Sequence, residues 1–182
     1  MENNASSAGV LRGGLFNTTE IKILICYILT TIGEPVPINM LINVLHMEGI
    51  ANGFEVSDAV MALTNSGQLV QADMKDDTYT VTESGRSVAK ELNTSLSLTV
   101  KDRAYVATLK MFTRFKNSKD TNFEITHEDG ATYLTCSAQD GKRTFLSIKI
   151  LLADESQAGF IKERFLDNPS EIFSKVMEML IK

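Results

Sequence analysis

The chain has 182 residues, a formal net charge of −5 and 43% apolar residues, enough to bury a core and to make two small domains. That charge excludes a molecule drawn as a whole to phosphate polymers or anionic membranes, so any nucleic-acid contact has to be local. The two cysteines, Cys26 and Cys136, lie far apart in apolar periodic segments. The plain reading is reduced, buried thiols in a cytoplasmic protein rather than a paired disulfide framework.

Residues 1–17 are small, polar and glycine-rich, with no apolar stretch of the kind a secretory signal needs, and are expected as a flexible N-terminal tail. A helix is predicted from Thr18 to about Ile32. Asn17 or Thr18 can cap it, Glu20 suits its positive end, and Ile21, Leu24, Ile25, Ile28 and Ile32 recur at helical spacing. With Ile23, Cys26 and Tyr27 on its other side this helix is apolar all round, so it should meet a second surface, either a partner subunit or the C-terminal half. Its apolar run is far shorter than the ~20 residues that cross a bilayer, and no membrane contact is expected.

Pro35 and Pro37 break that helix, and Pro37 is pre-set to start another. Met40, Leu41, Val44 and Leu45 mark a short helix over 38–46; residues 49–53 are a glycine-bearing bend; Val56, Val60 and Leu63 mark the buried face of a second helix over 55–66. Ser57, Asp58, Met61, Ala62 and Asn65 then fall on its outside. Gly67 caps its end, 69–73 and 78–81 form two short strands around a 74–77 tip, and Thr82 caps a helix through Leu92.

Residues 93–99 are polar and read as a hinge. A long helix over 100–115 follows, with Ala104, Tyr105, Leu109, Met111, Phe112 and Phe115 on its apolar face and Arg103, Lys110 and Arg114 on the other. Three alternating segments separated by Asp129-Gly130 and Asp140-Gly141 predict an antiparallel meander. Its second face would carry Tyr133, Thr135, Phe145, Ser147, Lys149 and Leu151, too apolar for a wholly wet surface; a dimer interface, an effector pocket or cover by the long helix would each explain it. Asp154 with Gln157 resembles a capping box for a helix through Phe165. Asn168-Pro169 opens a last helix with Ile172, Phe173, Val176, Met179 and Leu180 inward.

The predicted class is α+β: an N-terminal winged helix-turn-helix over 18–92, then a C-terminal α+β domain over 93–182, in which a long helix precedes a three-stranded antiparallel meander covered by C-terminal helices. The first helix, the 54–63 helix running into Ser66-Gly67-Gln68-Leu69-Val70, and the exit Tyr79-Thr80-Val81-Thr82-Glu83-Ser84-Gly85 resemble the winged-helix transcriptional regulators of bacteria, of the MarR and PadR kind. Taken whole, with Pro169 between the last two helices and the meander before them, the chain is similar to an uncharacterised bacterial family of small winged-helix proteins named as transcriptional regulators by fold alone. The resemblance implies a dimeric, DNA-binding regulator whose C-terminal domain serves dimerisation or effector response.

DNA binding requires Lys and Arg to neutralise phosphates, and Arg, Lys, Asn or Gln to read base edges. Residues 18–92 carry four basic side chains against ten acidic; 93–182 carry thirteen against twelve. The helix over 55–66 has no Lys or Arg, and Lys75 at the tip stands beside Asp73, Asp76 and Asp77. The candidate DNA contacts are therefore Asn52, Ser57 and Asn65, with Lys75 and the Arg103, Lys110, Arg114 stripe for phosphates, and the acidic domain weakens double-stranded DNA as a partner. The alternative is a winged-helix protein–protein interaction module that never binds DNA, with Asp58, Met61 and Ala62 meeting a basic or apolar partner. Ile23, Cys26, Tyr27, Tyr133 and Phe145 are candidate dimer or interdomain contacts. No enzyme is expected. His46 and His127 lack a third metal-type ligand at short spacing, and no P-loop, dinucleotide turn, nucleophile elbow or zinc spacing occurs, so no catalytic residue, metal or cofactor is expected.

Overall fold

Asn17 opens the first helix: its side-chain oxygen accepts a hydrogen bond from Thr19 N at 2.8 Å, and α1 (Thr18–Ile32) continues until Gly33, at φ 72°, closes it. The structure, a computed structural model, describes residues 9–181. Residues 1–8 of the expected tail lie outside the described residues. The rest of that tail is not free: Leu11 N and Leu15 N donate to the carbonyls of Gly49 and Ile50 at 2.9 and 2.7 Å, and Leu15 is buried. Apolar side chains and these backbone hydrogen bonds outweigh the glycine content that made the segment read as loose.

The fold is mixed α+β, and the described residues hold two small antiparallel sheets. The chain divides into two compact units, Met1–Phe112 and Thr113–Lys182. In the first, α2 (Ile38–Met47) and α3 (Gly53–Asn65) follow α1; β2 (Leu69–Asp73) and β3 (Thr78–Val81) form a hairpin; and α4 (Glu83–Leu92) leads into a single 3-10 turn, Asn93–Ser95. The pair Val36–Pro37 is a strand, β1, that joins the hairpin edge so that β3 lies in the middle of the order β1-β3-β2. Proline tolerates this position because an edge residue need not donate into a ladder. Thr82 Oγ1 donates to the Gly67 carbonyl at 2.8 Å where the hairpin ends. Next to it, Gly85 leaves room for the helix. A Cβ there would lie 2.4 Å from Gln68 O and 2.5 Å from Val81 Cγ2, so any larger residue forces α4 away from the hairpin root.

The second surface demanded by an all-round apolar α1 comes from its own unit. This helix packs against α3, α4, β3 and the 93–95 turn, and Ile23 and Cys26 are buried with Ile21, Leu24, Ile25, Ile28 and Leu29.

Helix α5 (Leu98–Lys119) contains the boundary between the units and runs about one turn past Phe115, the last residue of the expected helix. Lys116 and Lys119 suit a helix C-terminus electrostatically, which explains the extension. In the second unit β4 (Thr121–Glu128), β5 (Ala131–Asp140) and β6 (Arg143–Leu152) form a meander ordered β4-β5-β6. Asp129 and Gly130 both take positive φ, as a tight hairpin requires. Helices α6 (Gln157–Asp167) and α7 (Pro169–Ile181) pack on the face that carries Leu134, Cys136, Ala138, Leu146 and Leu152, with Phe165 edge-on to Phe123 at 5.9 Å.

Two expectations about this unit are corrected. Phe145 does not join the sheet's second face. The register moves from Ala138↔Leu146 to Gln139↔Thr144, which leaves Phe145 as a bulge residue, and it meets Phe173 edge-on at 5.5 Å. Met179 and Leu180 do not face inward either: they are 81% and 76% exposed, because α7 continues beyond the stretch that supplies Ile172 and Phe173 to the core.

Candidate functional site

The outer face of α3 and the β2–β3 hairpin beside it form the most distinctive surface of the first unit. Asn52 is not part of that surface: it is buried, and its side-chain oxygen caps α3 by accepting from Phe54 N at 2.9 Å. Ser57, Asp58, Met61 and Asn65 are exposed and Ala62 is half-buried. Phe54, 85% exposed, lies two turns before Met61 on the same stripe, and sequence reasoning missed it. The i, i+7 spacing of Phe54 and Met61 is the signal that could have found it; Phe54 precedes the 55–66 stretch whose faces the periodicity assigns. Val70, which points away from the buried Leu69, and Met74 at the hairpin tip add further exposed apolar surface.

The carboxylates of the hairpin hold its shape. Asp73 Oδ1 accepts from Lys75 N at 2.8 Å. Asp77, at φ 47°, accepts from Gln71 Nε2 at 2.8 Å and from Asn39 Nδ2 at 3.3 Å, and its carbonyl accepts from Ile38 N. These bonds fix the tip against the start of α2. Lys75 itself is exposed, and α3 contains no Lys or Arg.

The basic stripe expected on α5 does not stand free. Arg103 donates to the Glu48 carbonyl at the end of α2 at 2.6 Å, a favourable site for a cation at a helix C-terminus. Arg114 pairs with Glu163 and lies 3.2 Å from Asp167 Oδ1, the latter an ion pair that is not aligned as a hydrogen bond. Lys110 is exposed and lines a shallow depression with Glu48 and Asp102, so its surroundings are mixed in sign.

The expected dimer or interdomain residues are also accounted for. Ile23 and Cys26 are inside the first unit, and burial pushes the Cys26 thiol up to about 11. Tyr27 is half-buried beneath Lys101 Nζ, 5.5 Å from its ring centre. On the open face of the second sheet, Lys149 lies 4.6 Å over Tyr133 and bonds both Glu128 oxygens at 2.7 Å. That hydrogen bond holds the Glu128 carboxyl below its usual range. Burial raises the Cys136 thiol, opposed by the charge of Lys162.

Among the described residues, no three His, Cys, Asp or Glu side chains are grouped as a metal site, and no helix is long and apolar enough to cross a membrane. The model of one protein family, described as a domain of unknown function (DUF4364), matches residues 21–180. No curated protein and no solved structure matches the chain.

Proposed function

For a chain that belongs to the DUF4364 family, we propose a winged-helix regulatory protein that acts by docking a protein partner on the α3–wing face. In this reading α2 and α3 are the helix-turn-helix, the β2–β3 hairpin is the wing, and the second unit is a dimerisation or effector domain. The carrying observation is the exposed stripe Phe54, Asp58, Met61 on α3, an apolar strip with a carboxylate and no cation. Val70 and Met74 extend the apolar surface onto the wing. A surface of this kind suits a partner with apolar anchors and basic flanks. The dimer forms through a second copy at the end of α7, where Met177, Met179, Leu180 and Ile181 are exposed together.

A DNA-binding regulator is the second reading. It is supported by the helix-turn-helix order and by Ser57 and Asn65, which share the exposed stripe and can read bases without a positive charge. Phosphate contact argues against it. A typical binder neutralises ~6–10 phosphates, whereas α3 offers no cation and the hairpin tip offers Lys75 alone.

One experiment separates the two. Wild-type protein and a Phe54→Glu/Met61→Glu variant are immobilised and exposed to lysate and to sheared DNA from the same source, at low and near-physiological salt. A partner captured by the wild type and lost by the variant, with DNA lost at the higher salt, is the expected result. Retention of a shared palindromic DNA site at the higher salt overturns protein docking in favour of DNA binding.

A further inference from the structure

We propose that the second unit binds a medium-chain monocarboxylate in a groove between β6 and α6. The groove has a volume of about 320 Å³ and is lined by Ile148 and Ile150 of β6, Phe160, Ile161, Arg164 and Phe165 of α6, and Ile172 of α7. Its lining atoms are nearly all carbon. The sheet order places β6 at the edge, so the helix-covered face of the sheet ends here with a side open to water. Phe160 stands in that opening with 78% of its surface exposed, which is an unfavourable position for a phenyl ring unless something apolar lies against it.

The rim supplies the polarity of the ligand. Arg164 follows Phe160 by one helical turn, so the two share a side of α6. Its stem lines the groove, and its guanidinium makes no hydrogen bond or ion pair with any described residue. The carboxylates next to it in the helix are already engaged: Glu163 and Asp167 both pair with Arg114. A carbon-lined trough with an unneutralised guanidinium at its mouth fits a ligand that has an apolar chain and one anionic, planar end, because a carboxylate matches the guanidinium fork. A volume of about 320 Å³ lies at the small end of ligand pockets, about 300–1,000 Å³, which suits a chain of modest length; octanoate is a probe of that class.

The test titrates sodium octanoate, below its micelle concentration, into the full-length protein labelled at isoleucine δ1 methyls. Ile148, Ile150, Ile161 and Ile172 report the groove, and the isoleucines of α1 and α2 serve as internal controls. The expected result is saturable shifts at the four groove methyls, with α1 and α2 unmoved. Arg164→Gln, a substitution at an exposed position, should weaken octanoate about tenfold and 1-octanol far less, since a charge-assisted hydrogen bond is lost together with only the end of the stem. Unsaturable shifts, shifts spread through the chain, 1-octanol binding as tightly as octanoate, or an unaltered affinity in Arg164→Gln would each overturn the proposal.

Discussion

Replacing Arg114 with Ala tests whether the α5 cations serve the fold or a ligand. The Arg114 side chain is 20% exposed, Glu163 65% and Asp167 36%, so the cluster is neither fully wet nor fully buried. Exposed ion pairs contribute about 0–1 kcal/mol, and removing one partner of a buried pair costs about 3–5 kcal/mol. A guanidinium four-fifths covered but paired to open carboxylates belongs between these limits, at about 1–2 kcal/mol. For a unit the size of Thr113–Lys182, each kcal/mol moves a melting midpoint by about 4–8 °C, so the expected drop is about 5–15 °C. Circular dichroism gives the midpoint, and hydrogen exchange on peptides from 113–182 assigns the loss to that unit. Arg114→Lys keeps the charge without the fork and should fall between the two. The Asn117 Nδ2 to Leu166 carbonyl bond at 2.7 Å continues to tie α5 to α6 in each variant, so the unit should weaken without losing its topology. An unchanged midpoint and unchanged exchange would refute the structural role of Arg114 and return it to the candidates for phosphate contact.

Two further predictions concern the cores and the assembly. The raised Cys26 thiol keeps its proton in the folded state to about pH 11, whereas an unfolded thiol releases it near 8.5–9. Stability from this difference is complete below about pH 8.5 and declines as pH rises to about 11, by on the order of 2–3 kcal/mol at most. Urea midpoints across pH 8 to 11 should therefore fall more steeply for the wild type than for Cys26→Ala, and equal slopes would exclude the effect. Leu180→Asp with Ile181→Asp changes residues that are 76% and 75% exposed, so monomer stability should alter by less than about 0.5 kcal/mol while the proposed dimer is lost. Light scattering checks the mass; a wild type that is monomeric, or a variant that remains dimeric, removes the end of α7 from the interface.

Local chemistry was enough to write most of the elements into the chain, but not the two-residue strand Val36–Pro37, which its prolines mark only as a helix break. The strand bounds Leu69–Asp73 and Thr78–Val81, the helix Glu83–Leu92 and the two Asp-Gly hairpins depend on neighbours a few residues apart, where alternation, capping and turn residues act directly. The mixed α+β class follows from the same signals. Whether a side chain remains on a surface depends on distant residues, and here the tertiary structure decided. It covered α1 with α4, gave Arg103 to the end of α2, and paired Arg114 with α6. A single register shift turned Phe145 to the core, while Phe54, Phe160 and Leu180 were left in water. Periodicity assigns a residue to a face of its own element; whether that face is covered is set by packing between segments tens of residues apart, which no local pattern encodes.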